Sequence, residues 1–276
     1  MAIELARLLR GRGEDPVALS ADALQVYDGL ATLTGAATPE EQTQLEHRLL
    51  GFVPITDTFS VGEYMPLAHA EIDAALAAGR RPIVVGGTGL YLRAALTELD
   101  LRPPPPPELR ARIQARIDAE GADALREEVL RRAPRAQIAR GDRNRIIRYL
   151  ELLEMGEDPL PGQELWTAQM RLPTVLVGLV MERAALNQRI DARMEAIAAT
   201  AIDEVRAADA AGASATARKA HGFDELLRGD VEAMKLRARQ LGRRQMTWMR
   251  KLPGVHVVDT TDRAPADVAA EVAELL

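Results

Sequence analysis

The segment from Ile83 to Arg93, Ile-Val-Val-Gly-Gly-Thr-Gly-Leu-Tyr-Leu-Arg, most narrowly limits the fold of this 276-residue chain. Its β-branched run predicts a short strand, and its glycines predict a sharp turn into a helix, as in a parallel α/β sheet. The start of such a helix offers unpaired N–H groups to an anion, and glycines let the backbone approach a ligand closely. Ordinary strand-to-helix turns share this pattern, so it does not by itself establish a phosphate site.

Strands and helices alternate on both sides of an interruption, which predicts a parallel α/β core. We predict helices at 1–9, 38–50 and 59–78 and strands at 16–20 and 83–85 before five consecutive prolines at 103–107. Beyond the prolines we predict helices at 108–119, 122–132 and 142–154, a loop at 156–162, strands at 174–180 and 255–259, helices from 183 to about 251, and a C-terminal helix. The predicted organisation is a core formed by 1–101 and 171–276, with an all-helical insertion at 102–170.

Composition excludes several classes of protein. The chain has no cysteine, which excludes disulfides, thiolate zinc sites and a cysteine nucleophile. No apolar run approaches the ~18 residues of a membrane span, and the start lacks a secretory pattern, so we expect a cytoplasmic protein. The net charge of −6 argues against an overall basic surface for nucleic acid, although a local patch can still bind phosphate.

Asp22 is the first candidate for chemistry, because it follows a predicted strand at the edge where parallel sheets bind ligands. A carboxylate there can act as a general base or as a magnesium ligand. Aspartate also caps turns, and the sequence leaves both interpretations open.

Arginines supply the other candidates. Arg145 and Arg148 lie one helical turn apart beside Asn144, a pattern that suits phosphates and a base edge but also an ordinary solvated helix face. Arg189 and Arg193 are four residues apart on one predicted helix, so that they can hold a diphosphate together. The four histidines show no metal-ligand spacing, and core or surface roles are expected for them.

Several of these segments occur in the order in which the tRNA dimethylallyltransferases carry them. They are 22–27, 47–49, 59–62, 86–91, 145–151, the pair Arg189 and Arg193, and 239–250. The glycine-threonine segment and the Arg-Arg-Gln-Met-Thr-Trp segment at 243–248 are specific in combination. The chain therefore resembles this family over essentially its whole length.

The resemblance implies a P-loop-NTPase-like parallel sheet core and a helical insertion that grips the anticodon stem-loop of tRNA. It implies transfer of a dimethylallyl group from dimethylallyl diphosphate to the exocyclic amine of the adenosine 3′ of the anticodon, with Mg²⁺ present, by a monomer. By motif position, Asp22 would accept the amine proton and Arg193 would stabilise the leaving group. The diphosphate would contact Arg189, Arg193, Gly87 and Thr88. The expected tRNA contacts are Asp22, Ala23, Leu24, Gln25, Thr88, Arg110, Asn144, Arg145, Ile146, Ile147, Arg148, Arg239 and Arg243.

Departures from the family pattern leave alternatives. Family members carry a strand and a Gly-Lys-Thr phosphate loop directly before the segment that begins here at Met1, and Ala23 replaces a usual serine. We expect a start assigned too late in the gene rather than a true remnant, and we expect no transfer until a strand and loop are restored. The alternatives are a non-catalytic tRNA-binding protein and a small-molecule kinase-like enzyme on the same core.

Overall fold

The structure, a computed structural model, describes residues 1–159 and 167–276. The chain forms two compact units, one made of Met1–Leu99 with Leu165–Leu276 and the other of Asp100–Glu164. The loop predicted at 156–162 lies outside the described residues from position 160 onward. In the described part of the chain, no helix is both long and apolar enough to cross a bilayer.

The elements follow one another as a strand-helix alternation with a helical interruption. The strands are β1 (Pro16–Ser20), β2 (His47–Arg48), β3 (Arg81–Val85), β4 (Leu176–Val180) and β5 (Val255–Asp259). The helices in chain order are α1 (Ala2–Gly11), α2 (Ala31–Thr34), α3 (Pro39–Gln44), α4 (Val61–Ala77), α5 (Gly89–Leu96), α6 (Pro107–Glu120), α7 (Ala122–Arg132), α8 (Arg143–Glu154), α9 (Arg183–Thr200), α10 (Ile202–Ala210), α11 (Phe223–Leu227), α12 (Val231–Met249) and α13 (Pro265–Glu274).

All the strand pairs are parallel, which confirms the predicted α/β class. One sheet has the order β2-β1-β3, with Ser20 opposite Val85. A second sheet pairs β4 with β5, with Gly178 opposite Val257. Among the described residues β3 and β4 each have a strand neighbour on one edge only. The carboxyl ends of β1 and β3 lie side by side, so the loops that follow them meet at one edge.

Several apolar cores hold the first unit together. Helices α1 and α13 pack beside β5 through side chains such as Leu9, Val258 and Val272, with Ile83 and Val177 against them. Another core joins the segment after β1 to helices α9–α12, and its members include Val26, Tyr27, Leu30, Leu33, Val205, Phe223 and Met234. Burial of these side chains supplies the main driving force for folding.

The prediction of a helix at 38–50 is wrong for the second half of that segment. Thr38 caps the start through a capping box with Glu41, but α3 ends at Gln44. The chain then extends at Leu45, which is fully buried, and His47 pairs with Ala18 of β1. Since α3 itself buries no residue, the pairing with β1 and the burial of Leu45 outweigh continuation of the helix.

The second unit packs α6, α7 and α8 around an apolar core that includes Ile113, Ile117, Leu125, Val129 and Ile146. Glu151 is a fully buried carboxylate in this unit. The Arg110 guanidinium donates to its two oxygens at 2.9 and 3.3 Å, and Arg148 donates at 3.4 Å. Arg148 also donates to the carbonyls of Arg102 and Pro103 at 2.8 and 2.9 Å, which ties the start of the proline segment to α8.

Candidate active site

A cavity of about 1680 Å³ in the first unit contains the principal candidates. Its walls include the strands β3 and β4, along with Met1. At the carboxyl end of the first sheet it is lined by Asp22 and Gly87, and helices α9 and α12 contribute Arg189, Arg193 and Gln245. Val85 and Leu179 are each 44% exposed, so apolar side chains remain uncovered where β3 and β4 line this cavity.

Asp22 divides its carboxylate between two environments. Its Oδ1 accepts the backbone N–H groups of Leu24 at 2.8 Å and of Gln25 at 3.4 Å, which is the geometry of a turn cap. Its Oδ2 makes no hydrogen bond to any described residue. The cap therefore fixes the orientation of the carboxylate, while the second oxygen remains able to accept a proton.

The glycine segment serves close packing rather than a left-handed turn. Gly86, Gly87 and Gly89 do not adopt positive φ angles. A Cβ at Gly86 would overlap the backbone of Ala21, one at Gly87 the Gln245 amide, and one at Gly89 the Trp248 ring. The sequence suggested that these glycines allow a ligand to approach the backbone closely. In the structure, the atoms that approach them belong to Ala21, Gln245 and Trp248.

Thr88 joins the two loops that follow β1 and β3. It is the N-cap residue of α5, yet its side chain does not cap that helix. Its Oγ1 instead accepts the backbone N–H of Ala23 at 3.3 Å. Thr88 therefore helps to hold the segment that contains Asp22 against the glycine segment.

Arg189 and Arg193 lie one turn apart on α9, and both side chains reach the cavity. The Arg193 guanidinium packs on Gly35, the residue with φ +61° that ends α2. No carboxylate of residues 1–159 or 167–276 forms an ion pair with either arginine. Two unpaired guanidinium groups on one face of a helix can bind an anion with two charged groups.

The remaining candidates of the 22–25 segment have structural partners. Gln25 accepts from the Ser20 hydroxyl at 2.9 Å and donates to the carbonyls of Thr34 and Gly35 at 3.4 and 3.3 Å. The Leu24 side chain packs against the core beneath α9–α12. Both residues shape the loop around Asp22 through these contacts.

The two candidate arginines of α12 differ in their environment. Arg239 forms a two-point ion pair with Asp191 of α9, at 2.7 and 2.6 Å, and this pair raises the pKa of Arg239 and lowers that of Asp191. The pair locks α9 to α12. Arg243 is exposed and has no ion-pair partner among the described residues.

The candidates in the second unit divide into inward and outward groups. Ile146 is fully buried in the helical core, and the guanidinium groups of Arg110 and Arg148 are bound to Glu151. Ile147 is half-buried against that core. The outward residues are Asn144 and Arg145, which are exposed on α8, with the Arg145 Nε 3.7 Å from the Asp142 carboxylate.

His221 and Gln245 line the cavity although sequence reasoning gave neither a site role. Burial lowers the pKa of His221, with Arg237 and Arg244 adding to the effect, and its Nδ1 has no hydrogen-bond partner in the described part of the chain. For Gln245 a signal existed in the sequence. It lies three residues before Trp248 on one helix, so both face the same way, toward the glycine segment.

The described residues do not contain a cluster of side chains that would form a metal site. Within residues 1–159 and 167–276, no group of three or more His, Cys, Asp or Glu side chains could hold a metal ion. Mg²⁺ commonly binds through one or two carboxylates together with substrate phosphates and water. The cavity residues are compatible with an ion that enters together with a diphosphate. The described residues do not form a metal site that would hold an ion without the diphosphate.

Comparison with known proteins gives consistent matches. A sequence model of the family described as IPP transferase matches residues 25–252. The tRNA dimethylallyltransferase of Thermobifida fusca is 37% identical over 283 residues, covering 96% of this chain and 88% of that protein. The tRNA dimethylallyltransferase of Rhodopseudomonas palustris is 37% identical over 267 residues, covering 91% and 82%.

A solved structure shows the same similarity in three dimensions. The full-length tRNA isopentenylpyrophosphate transferase from Bacillus halodurans superimposes with a TM-score of 0.69 at 26% identity, covering 99% of this chain and 90% of that one. The family match from 25 to 252 includes the helices of the second unit and most of the cavity side chains.

Proposed function

Because the chain belongs to the IPP transferase family, we propose that it transfers a dimethylallyl group from dimethylallyl diphosphate to tRNA. The acceptor is the exocyclic amine of the adenosine on the 3′ side of the anticodon. The observation that carries this proposal is one cavity that combines the oriented carboxylate of Asp22 with the unpaired guanidinium groups of Arg189 and Arg193. The reaction needs both kinds of group, a proton acceptor and cations for a leaving diphosphate.

The proposed reaction joins a weak nucleophile, the adenine amine, to an allylic carbon that must lose its diphosphate. The adenine amine is a poor nucleophile because its lone pair is delocalised into the ring. Its nitrogen forms a bond to the allylic carbon while the bond from that carbon to the diphosphate oxygen breaks. The amine proton passes to Asp22, and the departing electron pair stays on the diphosphate. Arg189 and Arg193 stabilise the negative charge that develops on this leaving group.

Magnesium belongs to the proposal as a companion of the diphosphate. When bound, it would neutralise part of the charge on the diphosphate oxygens. The described residues offer no three-ligand cluster for it, and we propose that the ion enters the cavity with the diphosphate. Gly87 and Thr88, which lie beside Gln245 and the Asp22 loop, are proposed as further neighbours of the diphosphate.

The RNA is proposed to contact exposed polar and cationic side chains of each unit. Asn144 and Arg145 of α8 would contact the anticodon stem-loop from the helical unit, and Arg243 of α12 from the first unit. The target base must leave its stack to reach a carboxylate inside a cavity. We further propose that the enzyme is monomeric and acts in the cytoplasm.

The decisive assay uses labelled dimethylallyl diphosphate, Mg²⁺ and an unmodified anticodon stem-loop. It is run on the 276-residue chain and on the same chain extended at Met1 by an apolar strand and a Gly-Lys-Thr loop. From the extended protein we expect label on the RNA with adenosine at the target position and none when guanosine replaces it. From the 276-residue chain we expect no label. Tight RNA binding by both proteins with no label transferred would favour a non-catalytic tRNA-binding protein instead.

A further inference from the structure

The side-chain amide of Gln245 is a polar group of the cavity without a partner in the structure. It lies on α12, is half-buried, and makes no hydrogen bond to any described residue. It packs so closely on Gly87 that a Cβ at that position would overlap its nitrogen. The amide faces the cavity, where its oxygen and nitrogen are free to bind a ligand, and its packing on the backbone restricts the orientations that it can adopt.

The contacts of the glycine segment place this amide beside Asp22. Gly86 abuts the backbone of Ala21, and the Thr88 hydroxyl accepts the N–H of Ala23. The segment 86–88 therefore runs along the segment 21–23, with Gly87 and Asp22 as the middle residues of the two. Gln245 and Asp22 both line the cavity there, so that one ligand can reach the amide and the carboxylate.

We propose that Gln245 is the residue that recognises the adenine base at Asp22, with its Oε1 accepting one N–H of the exocyclic amine and its Nε2 donating to N7. This assignment rests on the proposed function. An amide paired to N6 and N7 is the established two-point contact by which glutamine recognises adenine. The amine carries two protons, so one bonds to Gln245 while the other is taken by Asp22.

The same contact predicts that guanine is rejected. Guanine carries a carbonyl oxygen where adenine carries the amine, so the Gln245 Oε1 would face another acceptor and Asp22 would find no proton. Two unpaired acceptors in a partly dehydrated cavity disfavour the wrong base. Gln245 thus selects the base and aligns the amine that reacts.

The test measures equilibrium binding of anticodon stem-loops that carry either adenosine or 7-deazaadenosine at the target position. The analogue keeps the amine and replaces the N7 acceptor by a C–H group. We expect the wild-type protein to bind the analogue about tenfold more weakly, which corresponds to about 1.4 kcal/mol within the range for such contacts. Gln245→Met keeps the packing on Gly87 and should bind both RNAs equally, at the weaker affinity.

Gln240→Leu is the matched control, since Gln240 is exposed on the same helix and should keep the tenfold preference. Equal binding of both RNAs by the wild type overturns the proposal, as does a preference that persists in Gln245→Met. Binding does not depend on transfer, so the two proposals fail separately. Absence of label transfer with an intact preference for N7 would contradict the proposed function and leave the assignment of Gln245 standing.

Discussion

At the scale of single residues, Asp22 is a turn cap, and we propose that the same side chain is the catalytic base. Its Oδ1 accepts two backbone N–H groups, which fixes the loop after β1, and its Oδ2 has no partner among the described residues. A carboxylate whose orientation is set by its own loop loses little entropy when a substrate amine arrives. The two interpretations that the sequence left open are therefore compatible.

Asp22→Asn separates these two roles. The asparagine carbonyl can still accept the N–H groups of Leu24 and Gln25, so the loop should keep its shape, but the amide cannot take a proton. In the protein extended by the strand and the Gly-Lys-Thr loop, we expect the rate of prenyl transfer to fall by about 10²-fold or more, with affinity for the stem-loop within a few-fold of the unsubstituted protein. Rapid-quench transfer and filter binding measure the two quantities, and transfer near the wild-type rate would leave Asp22 as a turn cap alone.

His221 gives the stability of the protein a dependence on pH. Burial lowers its pKa in the folded state, as do Arg237 and Arg244, against the opposite effect of Glu225 and Asp22. The unfolded chain therefore binds the proton more readily, and stability should decrease as pH falls through the ordinary histidine pKa of about 6.5.

Urea unfolding at a series of pH values between neutrality and pH 5 checks this expectation. His221→Gln should lose less stability than the wild type over that range, because the unfolded state no longer gains the proton. His256→Gln is the control for the loss of a histidine side chain, since that ring is exposed on β5. An identical pH dependence in wild type and His221→Gln would show that other groups determine it.

At the scale of elements, helix α8 presents two arginines with different tasks. The sequence suggested that Arg145 and Arg148 both face phosphate. Arg148 donates to two backbone carbonyls and to the buried Glu151, whereas Arg145 is exposed and donates to one backbone carbonyl, that of Gln137, at 3.2 Å. We expect RNA contact to rest on Arg145 and the integrity of the second unit to rest on Arg148.

Single substitutions distinguish the two arginines. Arg145→Ala should reduce the slope of log affinity against log salt by about one unit, and it should lower stability less than Arg148→Ala because its hydrogen bond to the Gln137 carbonyl is exposed. Arg148→Ala should lower the free energy of unfolding of the second unit by about 1–3 kcal/mol, because it leaves carbonyls and part of Glu151 without donors. Salt titrations and urea unfolding measure these effects, and the reverse pattern would contradict the assignment.

The unpaired edges of strands β3 and β4 lead to a further prediction at the scale of elements. Each has one edge without a strand partner among the described residues, and both edges line the cavity that Met1 also reaches. An apolar strand and Gly-Lys-Thr loop attached at Met1 should pair with both strands and cover Val85 and Leu179. Covering these half-exposed side chains should stabilise the protein by about 2 kcal/mol.

The control is a Gly/Ser-rich extension of equal length, which has little tendency to form a strand. Thermal and urea unfolding should show stabilisation by the apolar strand alone. Equal stability of the two extended proteins would mean that the cavity between β3 and β4 does not accept a strand.

Many of the helices and strands could be predicted from local sequence patterns. The strands at 16–20 and 255–259 and the helix at 122–132 have the bounds that their apolar patterns predict. Asp142 caps α8 and Ser60 caps α4 where the sequence placed helix starts. The segment 38–50 was predicted wrongly because its second half is decided by pairing with β1, which no local pattern contains.

The site was harder to predict for the same physical reason. The motif residues 86–89 and 243–248 both stood out, but only the folded chain shows that Gln245 and Trp248 pack on those glycines. The occupation of Arg148 by backbone carbonyls and the burial of Glu151 likewise depend on contacts between separate elements. Periodicity identifies a helix face, whereas the partner of that face depends on tertiary structure.

At the scale of the whole molecule, an acidic protein is proposed to bind an anionic diphosphate and an anionic RNA. The net charge is −6, and many arginines are neutralised by carboxylates, as Arg239 is by Asp191. The described residues nevertheless leave Arg189 and Arg193 unpaired in the cavity and Arg243 unpaired on α12. Local placement of charge, rather than the total, therefore governs which anions bind.

The most direct measurement of the central claim is the identity of the nucleoside that the reaction produces. The protein bearing the added strand and loop is incubated with dimethylallyl diphosphate, Mg²⁺ and an unmodified anticodon stem-loop, and the digested RNA is analysed by mass spectrometry. The account predicts one dimethylallyl group on the exocyclic amine of the adenosine 3′ of the anticodon, with one diphosphate released for each group transferred. Unmodified adenosine in RNA that the protein binds tightly, or the group on another base, would contradict it.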